Sequence, residues 1–172
     1  MSLNWKNDPD LSSKSDMDYF QDLIESLTSM LHSNPKDTTL LFKRGNAYLD
    51  KGVYQEAISD YSSILAINPE DPISLNNRGI CYRCIADPEN AIRDFNDAIS
   101  IDPFYRDAYN NRGMALSDKE EYSNAVDDFT KAITIDSQYW YAYNNRGMAL
   151  WALGNKDGAV ADYNIVRSLM GS

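Results

Sequence analysis

Two cysteines and a single histidine in 172 residues leave this chain no disulfide framework and no zinc site. Cationic side chains are also scarce: Lys and Arg total 16 against 26 Asp and Glu, a formal charge of −10. Affinity for nucleic acid rests on lysine and arginine displacing counterions from phosphate, so a nucleic-acid partner is excluded. An anionic membrane surface is disfavoured on the same ground, and no apolar run is long enough to span a bilayer. The N-terminus lacks the basic start and apolar core of a secretory signal, which makes the cytoplasm the default location. Phosphate-cradling glycine loops, nucleophile elbows and metal-ligand helices are missing too. The chain is therefore expected to be no enzyme and to carry no cofactor or metal.

What the chain does have is a period. Gly45, Gly79, Gly113 and Gly147 stand 34 residues apart, each after an arginine: Arg44, Arg78, Arg112 and Arg146. Twelve residues after each glycine comes an alanine (Ala57, Ala91, Ala125, Ala159), and four further on an aromatic (Tyr61, Phe95, Phe129, Tyr163). Self-similarity at this interval is the mark of a helical repeat array, in which each unit buries its apolar face against its neighbours. Glycine and alanine fall where two helix backbones must approach closely, and the aromatic fills the space beside them.

Residues 1–17 are rich in Asp, Asn and Ser without periodicity and read as a flexible tail. Phe20, Leu23, Ile24, Leu27, Met30 and Leu31 have helical spacing, so 18–35 reads as a capping helix closed by Asn34-Pro35. Four repeats of two antiparallel helices follow, at 38–71, 72–105, 106–139 and 140–172. Lys51-Gly52 supplies a glycine helix end, and Asp87-Pro88 an N-cap with proline in the first turn.

With its Asn-Arg-Gly triplets at Asn77, Asn111 and Asn145, this pattern resembles the tetratricopeptide repeat family from Thr38 to the C-terminus. Ser137 stands where a repeat-ending proline is usual, and Ala86 and Pro88 replace the usual inter-helix glycine and tyrosine. The resemblance implies an all-α, right-handed α-solenoid of helix-turn-helix repeats behind an N-terminal capping helix. It also implies a concave groove lined by the first helix of each repeat. Chaperone-binding relatives clamp a carboxylate there with lysine, asparagine and arginine. At the matching positions this chain has Thr39, Lys43, Asn77, Asp107 and Asn111, of which only Asn77 agrees, so that clamp is absent.

On the groove face the resemblance places Asn76, Asn110 and Asn144, with Lys43, Asn77, Asn111 and Asn145 running beside them. An asparagine amide both donates and accepts, so a ladder of Asn77, Asn111 and Asn145 can pair with a peptide backbone without reading its side chains. The same asparagines could instead bond neighbouring helix backbones or water. Tyr141, Met148 and Trp151, with Met114, would form an apolar anchor pocket near the C-terminal end, unless Trp151 packs as core. Arg83 lies on the same face, and Asp107 and Asp118 would favour a basic residue nearby. The expected function is a non-catalytic module that binds an extended partner peptide, basic and apolar in part. The alternative is a scaffold that self-assembles into a homo-oligomer through its C-terminal end.

Two further patterns read as structural. Asp60, Asp94, Asp128 and Asp162 share the period of the arginines and should pair with them across each repeat. Cys81 occupies the slot of Ala47, Ala115 and Ala149, so it reads as a small packing residue rather than half of a metal or redox motif with Cys84.

Overall fold

The computed structural model describes residues 16–171, which form nine α-helices and no strand. The expected tail falls outside the described residues except for Asp16 and Met17, which open the first helix. The helices are α1 (Asp16–Ser33), α2 (Thr38–Lys51), α3 (Tyr54–Ile67), α4 (Pro72–Cys84), α5 (Pro88–Ile101), α6 (Arg106–Asp118), α7 (Tyr122–Ile135), α8 (Trp140–Ala152) and α9 (Lys156–Met170). They divide into two compact units, Met1–Ile67 and Asn68–Ser172.

Helix starts follow from local chemistry. Asp37 accepts from the backbone N–H of Thr39 and Leu40 at 2.9 and 3.0 Å, and Asp71 accepts from Ile73 N–H at 3.2 Å. Asp87 caps α5 by accepting from Asn90 N–H at 3.2 Å, with Pro88 in the first turn. Between repeats, Asp102 accepts from Phe104 N–H and Asp136 from Gln138 N–H, both at 2.9 Å. The aspartate holds this turn, so Ser137 serves where Pro103 stands one repeat earlier. The turn inside each repeat needs a left-handed residue: Gly52 and Gly154 have φ of 79° and 81°, Ala86 and Glu120 of 58° and 62°. Two of the four thus carry a side chain in a conformation that suits glycine.

In the first unit α1 packs on α2 and α2 on α3. Ile24, Leu27 and Leu31 make the buried stripe of α1, while Met30 lies at its edge and is half exposed. Tyr61 is fully buried and donates its hydroxyl to Asn46 Oδ1 at 2.6 Å.

In the second unit each helix from α4 to α9 packs on the next, and the first helices α4, α6 and α8 also touch in succession. Each repeat closes on its glycine. A Cβ on Gly79 would stand 2.6 Å from Phe95, one on Gly113 2.7 Å from Phe129, and one on Gly147 2.8 Å from Tyr163. Only glycine lets the backbone approach so near to the ring.

Every arginine of the period pairs with its aspartate. Arg78, Arg112 and Arg146 each donate through Nε and Nη2 to both oxygens of Asp94, Asp128 and Asp162, at 2.6–2.8 Å. Arg44 and Asp60 do the same in the first unit. The four carboxylates are buried, and the hydrogen bonds raise each guanidinium pKa above its ordinary value. An arginine also lies against the ring of Tyr48, Tyr82, Tyr109 or Tyr143 in each repeat, 5.5–5.9 Å from the centroid. These arginines brace each pair of helices.

Candidate functional site

The side of the second unit built from α4, α6 and α8 carries most of the residues expected to bind. The asparagines interlock from one first helix to the next. Asn111 donates from Nδ2 to Oδ1 of Asn76, and Asn145 to Oδ1 of Asn110, both at 2.9 Å. Asn76 in turn donates to Asn77 Oδ1 at 3.3 Å, and Asn110 to the Met114 sulfur at 3.6 Å. Asn76 and Asn110 are therefore not open groove positions: each is 4% exposed beneath the next helix. Asn77, Asn111 and Asn145 are half-buried.

Beside Asn145 the wall opens into a cleft of about 310 Å³ lined by Arg83, Met114, Asp118, Phe129, Asn145 and Met148. Its apolar wall is continuous with the core, since Met114 packs against the buried cluster of Ala125, Phe129 and Ala149. At the rim Arg83 of α4 donates to Asp118 of α6 at 2.8 Å. The carboxylate expected to attract a basic group is thus already neutralised by this chain.

Four expected binding residues, Arg83, Met114, Asn145 and Met148, share this cleft. The others lie apart. Tyr141 is half exposed and stacks on Trp140 at 3.7 Å between ring centroids. Trp151 is 53% exposed, with the Lys156 ammonium 5.5 Å from its ring centre, so it is not core. Asp107 accepts from Arg106 Nε at 3.3 Å, and Arg106 also bonds Asp136. The Tyr139 phenol joins Asp107, and its pKa is raised by burial first and by that carboxylate second. Lys43 lies exposed on α2 in the first unit.

Sequence reasoning missed the partners that occupy these groups, although a signal was present. Asn76 and Asn111, Asn110 and Asn145, and Arg83 and Asp118 are all 35 residues apart. Adjacent first helices meet one residue out of step with the 34-residue period, so polar pairs at that offset mark the contact. Elsewhere, burial pushes the Cys81 thiol up to about 12, and Cys84 is exposed. Among the described residues no group of three or more His, Cys, Asp or Glu is placed to hold a metal ion. No described helix is long and apolar enough to cross a membrane.

Among curated proteins none matches the chain in sequence. Solved structures do match in fold. One crystal structure of MamA superposes with a TM-score of 0.80 at 22% identity, over 92% of this chain and 96% of that one. MamA 41-end from Desulfovibrio magneticus RS-1 also gives a TM-score of 0.80, at 18% identity over 88% of this chain and 85% of that one. The first TPR of Spaghetti (RPAP3), bound to the HSP90 peptide SRMEEVD, gives 0.66 at 26% identity, over 68% of this chain and 93% of that one. Tetratricopeptide repeat models match residues 73–105, 107–139 and 141–164, and a TPR repeat model matches 35–82. The chain belongs to the tetratricopeptide repeat family.

Proposed function

We propose that the chain is a non-catalytic protein-interaction module that holds an extended peptide segment of a partner along α4, α6 and α8. One observation carries this reading: Asn111 and Asn145 each spend one amide N–H on the preceding first helix. That bond orients the amide and leaves its other N–H and its Oδ1 for a ligand. Bracing and binding therefore coexist in one side chain. Helices in contact lie roughly 8–10 Å apart and an extended peptide advances about 3.3 Å per residue, so successive asparagines meet the peptide about every third residue.

An apolar side chain of the peptide enters the cleft between Met114 and Met148, where the thioethers adapt to its shape. Asn77 continues the backbone contacts along α4, and Tyr141 and Trp151 offer further apolar surface on α8. Because Asp107 and Asp118 are each paired with arginine, any basic residue of the partner is drawn by the net charge of −10 rather than by those two carboxylates. The RPAP3 domain holds its HSP90 peptide on the same repeat architecture. The departure at Thr39, Lys43 and Asp107 gives this chain a different ligand.

A displayed peptide library selected on the wild-type chain supplies the ligand for the test. Asn77/Asn111/Asn145→Ala and, separately, Met148→Lys should each weaken the selected peptide about tenfold or more. Met148 is 59% exposed, so its replacement leaves the fold intact. Unchanged affinity in both variants would overturn the reading.

A further inference from the structure

One ion pair of the second unit stands outside the period. The bracing arginines recur with their buried aspartates in every repeat, whereas Arg83 and Asp118 occur once. Leu49 and Cys84 stand 34 residues before them, Ser117 and Ala152 34 residues after. Arg83 Nε donates to Asp118 Oδ2 at 2.8 Å, and the carboxylate is half exposed. An ion pair so open to water adds little to stability, so bracing does not account for it. It spends one guanidinium N–H and one carboxylate oxygen, and neither side chain has another hydrogen bond among the described residues. Arginine N–H groups and Asp118 Oδ1 are thus left at the rim of the cleft.

The body of the cleft is apolar and rich in sulfur. Met114 and Met148 line it together with Phe129. Asn110 donates to the Met114 sulfur at 3.6 Å and Asn144 to the Met148 sulfur at 3.8 Å, each from one helical turn earlier. Both thioethers are therefore held in place, and thioether sulfur makes favourable contacts with aromatic rings. At about 310 Å³ the cleft lies at the small end of the range of ligand pockets, with room for one large side chain. Its walls come from α4, α6, α7 and α8, and none of its lining from α9.

The rim decides which side chain fits. Lysine would meet Arg83, and an acidic side chain would meet Asp118. Phenylalanine leaves both rim groups without a partner, and a tryptophan N–H can donate to Asp118 but accept nothing from Arg83. A tyrosine hydroxyl does both, at the end of an aromatic body. We infer that the cleft selects a tyrosine of the partner peptide, its ring between Met114 and Met148 and its hydroxyl shared by Arg83 and Asp118. That choice rests on the reading that a peptide binds along α4, α6 and α8, and narrows the ligand to one carrying tyrosine.

Displayed peptides, random except for a central residue fixed as Tyr, Phe, Leu, Lys or Glu, are selected on the full chain. The best binder is then synthesised with each of these residues, and affinities are read by fluorescence anisotropy. Tyrosine should bind most tightly, phenylalanine about three- to tenfold more weakly, and lysine and glutamate more weakly still. Arg83→Met together with Asp118→Leu should bring the tyrosine and phenylalanine peptides to equal affinity. Both side chains reach solvent, and an unchanged melting temperature confirms the fold of that variant. A tyrosine preference that survives it overturns the proposal, because the hydroxyl is then read elsewhere. Phenylalanine or leucine binding as tightly as tyrosine overturns it too, and leaves the groove reading standing if Asn77/Asn111/Asn145→Ala still weakens the peptide. Binding that ignores both that variant and Met148→Lys, or no binder from any pool, overturns the groove reading and the tyrosine pocket together.

Discussion

Cε1 of Phe129 lies 2.7 Å from where Gly113 would carry a Cβ, closer than carbon atoms approach without something moving. Alanine is the better helix former by about 1 kcal/mol, so propensity and packing oppose each other here. Phe129 is fully buried among Ala125 and Ala149 and has nowhere to retreat, so packing wins. Gly113→Ala should lower stability by about 1–3 kcal/mol in urea unfolding, and Phe129→Leu in the same chain should return part of the loss. A more stable single variant would show that the ring yields.

Arg112 ties three helices through Asp128 of α7 and Asn96 of α5. Arg112→Ala strands a carboxylate that is 6% exposed and should cost about 3–5 kcal/mol. Arg112→Lys keeps the charge but not the two parallel bonds, and should cost about 1–3 kcal/mol. A loss under about 1 kcal/mol for the alanine variant would mean that water already reaches Asp128.

Ala86 and Glu120 hold a left-handed turn that glycine holds at Gly52 and Gly154. The left-handed conformation costs a residue with a side chain about 1–2 kcal/mol, while glycine returns part of this through its freer unfolded chain. Ala86→Gly and Glu120→Gly should each stabilise the protein by about 0.5–1 kcal/mol, read as a shifted urea midpoint at constant slope. No shift would show that the turn relaxes around the side chain.

The buried Cys81 thiol, pushed up to about 12, carries almost no thiolate at neutral pH, whereas Cys84 faces solvent. Iodoacetamide should add one label to the native protein, at Cys84, and a second only in denaturant, as read by mass spectrometry. Two labels under native conditions would mean that α4 opens locally.

The sequence by itself determined the architecture, because a repeat array is written along one dimension. Gly113 and Phe129 recur in phase with their counterparts, so the period alone sets two helices per repeat and brings glycine against ring. The arginine and aspartate series share that period, and charge demanded that they meet. Only the tertiary structure decided which polar groups remain for a partner. Asp118 proves to be paired with Arg83, and Asn76 and Asn110 lie beneath the next helix, because adjacent first helices meet at residues 35 apart, one out of step with the 34-residue period. Tyr163 holds the place of Phe129 in the period, yet it is 37% exposed where Phe129 is 1% exposed. Exposure belongs to the space around a side chain, and the helix that would close over it is not encoded in its own repeat.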